Sequence, residues 1–206
     1  MQRGFSLVVS IVFQPLVIPT LVFGLILFMV PQATTIPEEF KLRIFYLLVL
    51  STLVIPMVTV CGLRLSGTLK SLHMASLKDR AIPFSVTSIY YILTVYFLLQ
   101  KGGLDPILGK VLGIITLAIL GLTFVTFFWK MSAHMTGMGG LLALVLVLGL
   151  KFPSFQPVYP LLTVLVLTGV VGSVRLFLDA HKPMEIYVGL LYGFLLCFIG
   201  FSIIWG

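Results

Sequence analysis

The sequence predicts an all-α fold, a polytopic bundle of about six to seven transmembrane helices forming one integral membrane domain over residues 1–206. Three observations predict it. The chain is 60% hydrophobic and only 9% charged, where a soluble domain carries about a quarter charged residues, so there is too little polar surface to cover a body in water. Uncharged runs such as LVVSIVFQPLVIPTLVFGLILFMV exceed the about 20 apolar residues, at roughly 1.5 Å each, that cross a bilayer. The breaks between such runs carry proline, glycine or charge. Every span is expected to be helical, because lipid offers no partner to a bare backbone N–H or C=O.

Taken in order, the runs cover residues 5–29, 41–61, 83–100, 106–128, 137–150, 157–174 and 185–205. The first is too long for the h-region of a cleaved signal peptide and no A-x-A-like site follows it, so it is read as a retained helix. Pro15 and Pro19 are expected to kink it. Pro31 and Pro37 close the first hairpin, and Glu38 and Glu39 start the second helix, where carboxylates suit the dipole. Gly102, Gly103 and Pro106 close the third run, and Pro153, Pro157 and Pro160 the fifth. The fifth run is the shortest, which places its start in the preceding loop or its body inside the bundle. Trp129, Tyr159, Tyr187 and Trp205 lie near run ends, where aromatic rings suit the interface. Gly189 and Gly193 are four apart in the last run, a spacing that lets a neighbouring helix pack closely inside the bundle.

Composition also excludes classes of function. The +7 net charge has no hydrophilic domain to carry a nucleic-acid-binding face. It fits loops at a membrane surface or groups that bind an anion. Cys61 and Cys197 are too far apart for a metal motif and form no disulfide framework. No acidic residue sits in mid-span and no inverted repeat is visible, which leaves little basis for a transporter.

Seven spans put the N-terminus and the loops 62–82, 129–136 and 175–184 on one side of the membrane. That side holds all three histidines: His73, which matches no motif and reads as a plain loop residue, His134 and His181. Counting every cation would make it cytoplasmic, but cations that bind a ligand carry no topology, and the remaining tally is about even. Three polar clusters fall there: LKDRAIP (77–83), KMSAHMTG (130–137) and SVRLFLDAHKPME (173–185). Two spans separate each consecutive pair, so the clusters can meet at one depth. Lys78, Arg80, Lys130 and Arg175 are cations suited to phosphate, with arginine able to grip two oxygens at once. Ser132 can donate a hydrogen bond. His134 and His181 can divide nucleophile and acid roles. If the last helix starts near His181, Glu185 shares a face with it and can hold the imidazole in one tautomer. Taken singly, each cluster also reads as interfacial charge. Asp79 and Asp179 read as partners for neighbouring cations, and Lys182 as an interfacial anchor.

With these residues in place, the chain resembles the type 2 phosphatidic acid phosphatase family, whose three motifs are K-x6-R-P, P-S-G-H and S-R-x5-H-x3-D. The third is matched by Ser173-Val174-Arg175, with one residue inserted, then five residues to His181 and three to Glu185, which replaces aspartate. The second appears as Ser132-Ala133-His134, with Met131 for proline and Ala133 for glycine. For the first, Lys78, Arg80 and Pro83 supply the residue types without the spacing. The resemblance is nearest to a compact bacterial branch with K-I-S-A-H and A-R-L-x4-H-x-P, of the kind seen in Bacteroidetes-like membrane proteins. It covers residues 70–205, and the two N-terminal spans, 1–61, carry no motif.

The resemblance implies a lipid phosphate phosphatase of the bacterial inner membrane. In it His181 attacks phosphorus, Glu185 orients its ring, and His134 protonates the leaving oxygen. Lys78, Arg80, Ser132 and Arg175 would hold the phosphoryl oxygens, with Lys130 beside them. No metal or other cofactor is implied, the cations supplying the electrostatic stabilisation. Expected substrates are a polyprenyl diphosphate, phosphatidic acid, phosphatidylglycerophosphate or a lipid A phosphate. The alternative is a non-catalytic relative that binds lipid phosphate or serves as a subunit of a larger membrane complex.

Overall fold

A computed structural model describes residues 2–67, 77–100 and 105–206, with the backbone alone for Gln2, Leu77, Lys78 and Asp79. His73 and the Gly102–Gly103 break lie outside the described residues, as do the side chains of Lys78 and Asp79. The described residues form nine α-helices: α1 (Gln2–Val12), α2 (Ile18–Gly24), α3 (Glu38–Val49), α4 (Ile55–Leu65), α5 (Leu77–Gln100), α6 (Pro106–Thr126), α7 (Ala133–Lys151), α8 (Val158–Phe177) and α9 (Pro183–Ile204). Among these residues seven stretches are long and apolar enough to cross a membrane: Arg3–Met29, Glu38–Leu65, Arg80–Gln100, Pro106–Thr126, Ala133–Lys151, Val158–Phe177 and Pro183–Ile204. The chain is therefore a polytopic helical membrane protein.

Proline sets the irregularities. The first span breaks between α1 and α2, where Pro15 opens a single 3₁₀ turn and Pro19 follows in the first turn of α2. The second span carries a π-helical segment at Leu50–Val54, just before Pro56. The sequence reading has no counterpart for it. Pro56 has no N–H for the Thr52 carbonyl four residues back, and the buried Tyr91 hydroxyl of α5 donates to that oxygen at 2.8 Å. A carbonyl orphaned inside the bundle thus becomes a link between two spans. The third span begins earlier than residue 83, and Pro83 lies inside α5.

The fifth span, expected from residue 137, starts at Ala133 and reaches Lys151. It is also the most enclosed, with 67% of its apolar window buried against 28–50% for the other six. Both expectations for its shortness therefore hold. Apolar side chains gain nothing by leaving lipid for one another, so helices associate by close packing and small residues. In α7 and α9 those residues are glycines. A methyl on Gly139 would run into the Leu190 carbonyl, one on Gly193 into the Thr136 carbonyl, and one on Gly189 would lie 2.8 Å from the Ser132 oxygen. The Gly189–Gly193 pair packs α9 onto α7 inside the bundle, as its spacing predicts.

At the rim away from the histidines, loops are tied by polar contacts. The Thr35 N–H and hydroxyl donate to Asp105 Oδ2 at 2.6 and 2.9 Å, and the Ile107 N–H donates to Oδ1 at 2.9 Å, capping α6. Lys41 is buried and donates to Glu38 in the first turn of α3. The Trp205 indole reaches the Ala33 carbonyl at 3.4 Å.

Candidate functional site

The turn from α8 to α9 is built by backbone. The Asp179 N–H donates to the Leu176 carbonyl and the Ala180 N–H to the Arg175 carbonyl, the paired bonds of a Schellman ending. Asp179 occupies its left-handed position with φ 49°. Among the described residues it forms no ion pair, which corrects the expectation that it partners a cation: its part is to turn the chain. This ending lies within the five residues between Arg175 and His181, and the histidine comes within electrostatic reach of the arginine. Replacing Asp179 with glycine, which takes positive φ without a Cβ clash, is expected to stabilise the protein by up to about 1 kcal/mol, and valine to destabilise it by a similar amount. Thermal unfolding in detergent measures both.

The last helix starts at Pro183 with Lys182 as its cap residue, two positions later than the His181 start considered above. Proline suits the first helical position because its missing N–H would be unsatisfied there anyway. The pair still forms. Glu185 is the third helical residue, and its Oε2 lies 2.7 Å from His181 Nδ1 with both side chains buried. Nδ1–H donates to the carboxylate, so the Nε2 lone pair is left for chemistry.

Ser132 joins this pair to α7. Its N–H donates to the Glu185 carbonyl oxygen at 3.1 Å, and its hydroxyl oxygen accepts from the Met135 N–H at the start of α7. Thr136 adds a hydroxyl bond back to the Ser132 carbonyl. Two helix N-termini, those of α7 and α9, therefore meet at the site, and their partial positive charges favour an anion.

His134 and Arg175 meet through a residue that the sequence reading passed over. Ser10, in α1, accepts from Arg175 Nη1 on its hydroxyl at 2.8 Å, and its carbonyl accepts from His134 Nε2 at 3.0 Å. The same hydroxyl lies 3.5 Å from that nitrogen. The signal in sequence was faint: Ser6 and Ser10 are four apart in an apolar run and so share a helix face.

The cations complete the site. Arg80, near the start of α5, is buried and acts electrostatically on Glu185. Lys130, in the turn before α7, feels Arg80, Glu185 and Arg175, and its ammonium is held below its ordinary value, by burial first and then by Arg80. Burial also pushes the His181 imidazole well below the ordinary histidine range, helped by Arg80, Arg175, Lys130 and His134. The Glu185 carboxylate favours the charged ring, but burial and four positive or polar neighbours outweigh it. The ring is therefore biased towards its neutral form.

Of the eight residues singled out from sequence, Glu185 bonds both His181 and Ser132, and His134 and Arg175 both bond Ser10. Arg80 and Lys130 lie within electrostatic reach of this group. Lys78 stands two residues before Arg80 in the first turn of α5, its side chain outside the described residues.

Fold and site together define an integral membrane protein whose bundle encloses a histidine–carboxylate pair among cations at one end. Comparison of the chain with family models, with curated proteins and with solved structures finds no match to any of them.

Proposed function

We propose that the chain is a membrane-embedded phosphatase of lipid phosphates, working through a phosphohistidine. One observation carries this reading: the buried His181–Glu185 pair, 2.7 Å apart, within the field of Arg80, Arg175 and Lys130. A neutral imidazole with one nitrogen fixed by a carboxylate is a competent nucleophile, and cations beside it are what a phosphoryl group needs. In the first step His181 Nε2 bonds to phosphorus as the bond from phosphorus to the lipid oxygen breaks. The leaving oxygen takes a proton from His134. In the second step water attacks phosphorus, the N–P bond breaks, inorganic phosphate leaves, and His134 recovers its proton from the water. Glu185 stabilises the charge that His181 carries in between. The lipid class stays as broad as above, and the bacterial inner membrane is part of the proposal.

The test is phosphate release from a panel of polyprenyl, phosphatidyl and lipid A phosphates in detergent with EDTA. Metal-independent release from any one class supports the reading; background release from all of them sinks it for that panel. A specific observation favours the second reading, a lipid-phosphate binder or complex subunit: His134 Nε2 is already engaged by the Ser10 carbonyl. Binding of the same lipids without turnover would select it.

The state of His181 also fixes a pH dependence. A histidine held neutral in the fold binds its proton less readily than in the unfolded chain. Its contribution is whole above the unfolded value of about 6.5 and declines below it, at up to about 1.4 kcal/mol per pH unit. The unfolding midpoint is expected to stay level from about pH 8 to about pH 6.5 and to fall towards about pH 5. In His181→Asn the fall is expected to be shallower. An equally steep fall in the variant would show that the ring is not held neutral.

A further inference from the structure

We propose that the first helix is an internal competitor for the phosphate site, with Ser10 holding by its own oxygens the groups that would otherwise take the phosphoryl oxygen and the leaving oxygen. This rests on the phosphate-site reading above and adds a device to it. Three observations carry it. Ser10 occupies both partners at once, its hydroxyl on Arg175 Nη1 at 2.8 Å and its carbonyl on His134 Nε2 at 3.0 Å. Arg175 is left half-used, because its Nε is buried and has no partner among the described residues. A serine hydroxyl engages one N–H of the guanidinium, whereas a phosphate spans two.

The third observation is mechanical. α1 packs chiefly on α8, and its outer face, Phe5, Val8, Ile11 and Val12, is exposed to lipid. It is joined to α2 through Phe13 and Gln14, which lie outside any helix, and the Pro15 turn. The break interrupts the α-helix between α1 and the rest of its span. A cleft of about 370 Å³ lined by Phe5, Ser6, Ser173, Val174 and Phe177 lies between α1 and α8, and its Val174 adjoins Arg175 in the chain. When a phosphoryl group takes Arg175 and His134, α1 loses its two polar anchors and swings on the Pro15 turn, and the lipid chain follows into the cleft.

The experiment measures inorganic phosphate binding by calorimetry in detergent, for the wild type and Ser10→Ala, and needs no turnover. Ser10→Ala removes the hydroxyl that competes for Arg175, so phosphate is expected to bind about tenfold more tightly. Equal affinities overturn the competitor and leave the phosphate site standing. Weaker binding by Ser10→Ala makes the hydroxyl a ligand of the anion and also overturns it. No binding by either protein overturns the competitor together with the phosphate-site reading. A second readout does not depend on that variant. Ser6 is buried against α8, and in a Cys61→Ser background Ser6→Cys is expected to react several-fold faster with a water-soluble maleimide once phosphate is bound. An unchanged rate with phosphate bound overturns the swing.

Discussion

His181→Ala is expected to abolish metal-independent phosphate release, a loss of at least about 10³-fold, while lipid phosphate still binds. The two halves of that result follow from different atoms. In the proposed mechanism release needs the Nε2 lone pair, which the substitution deletes. Binding needs Arg80, Arg175, Lys130 and two helix N-termini, which it leaves in place. Glu185→Gln tests the orienting role separately. Its amide oxygen can still accept from Nδ1–H, but it no longer balances the charge that His181 gains on phosphorylation. Release is expected to fall by about 10²-fold or more, mainly in kcat. Activity that survives in His181→Ala would move the nucleophile elsewhere.

Gly193→Ala is expected to be the most damaging single methyl in the bundle. The added carbon would run into the Thr136 carbonyl, which is backbone and cannot step aside as a side chain would. Separating α7 from α9 costs at least about 2 kcal/mol, and it pulls the Ser132 N–H away from the Glu185 carbonyl. A lower unfolding midpoint and at least a tenfold loss of phosphate release are expected together. Gly169→Ala is the matched comparison. Its methyl meets nothing within 4 Å, and trading glycine for alanine in a helix is worth roughly 0.5–1 kcal/mol in its favour. If both variants lose stability alike, close packing of α7 on α9 is not what holds the site.

The spans were legible because lipid imposes one rule on the whole chain, and composition with proline placement expresses it. The His181–Glu185 contact was legible because both residues belong to one local turn, where spacing limits geometry. Other features depend on partners remote in sequence. Ser10 is one hydroxyl in an apolar run, and nothing local says that His134 and Arg175, 124 and 165 residues away, will meet it. The π segment at Leu50–Val54 is tied by the Tyr91 hydroxyl, which donates to the Thr52 carbonyl from 39 residues away. Asp179 read as a charge, although its service is a backbone angle. The start of α7 falls in the loop ahead of its apolar run, as the shortness of that run allowed, with Ser132 as its cap.

The Asp105 tie has a consequence for how this molecule can move. One carboxylate grips both the Thr35 loop and the start of α6, and Trp205 fastens the end of α9 to the same loop. A bundle riveted along one rim behaves like a sheaf bound at its base. Motion of the spans is expected to be small at that tied rim, and Asp105→Ala, by freeing the Thr35 loop and uncapping α6, is expected to enlarge it there.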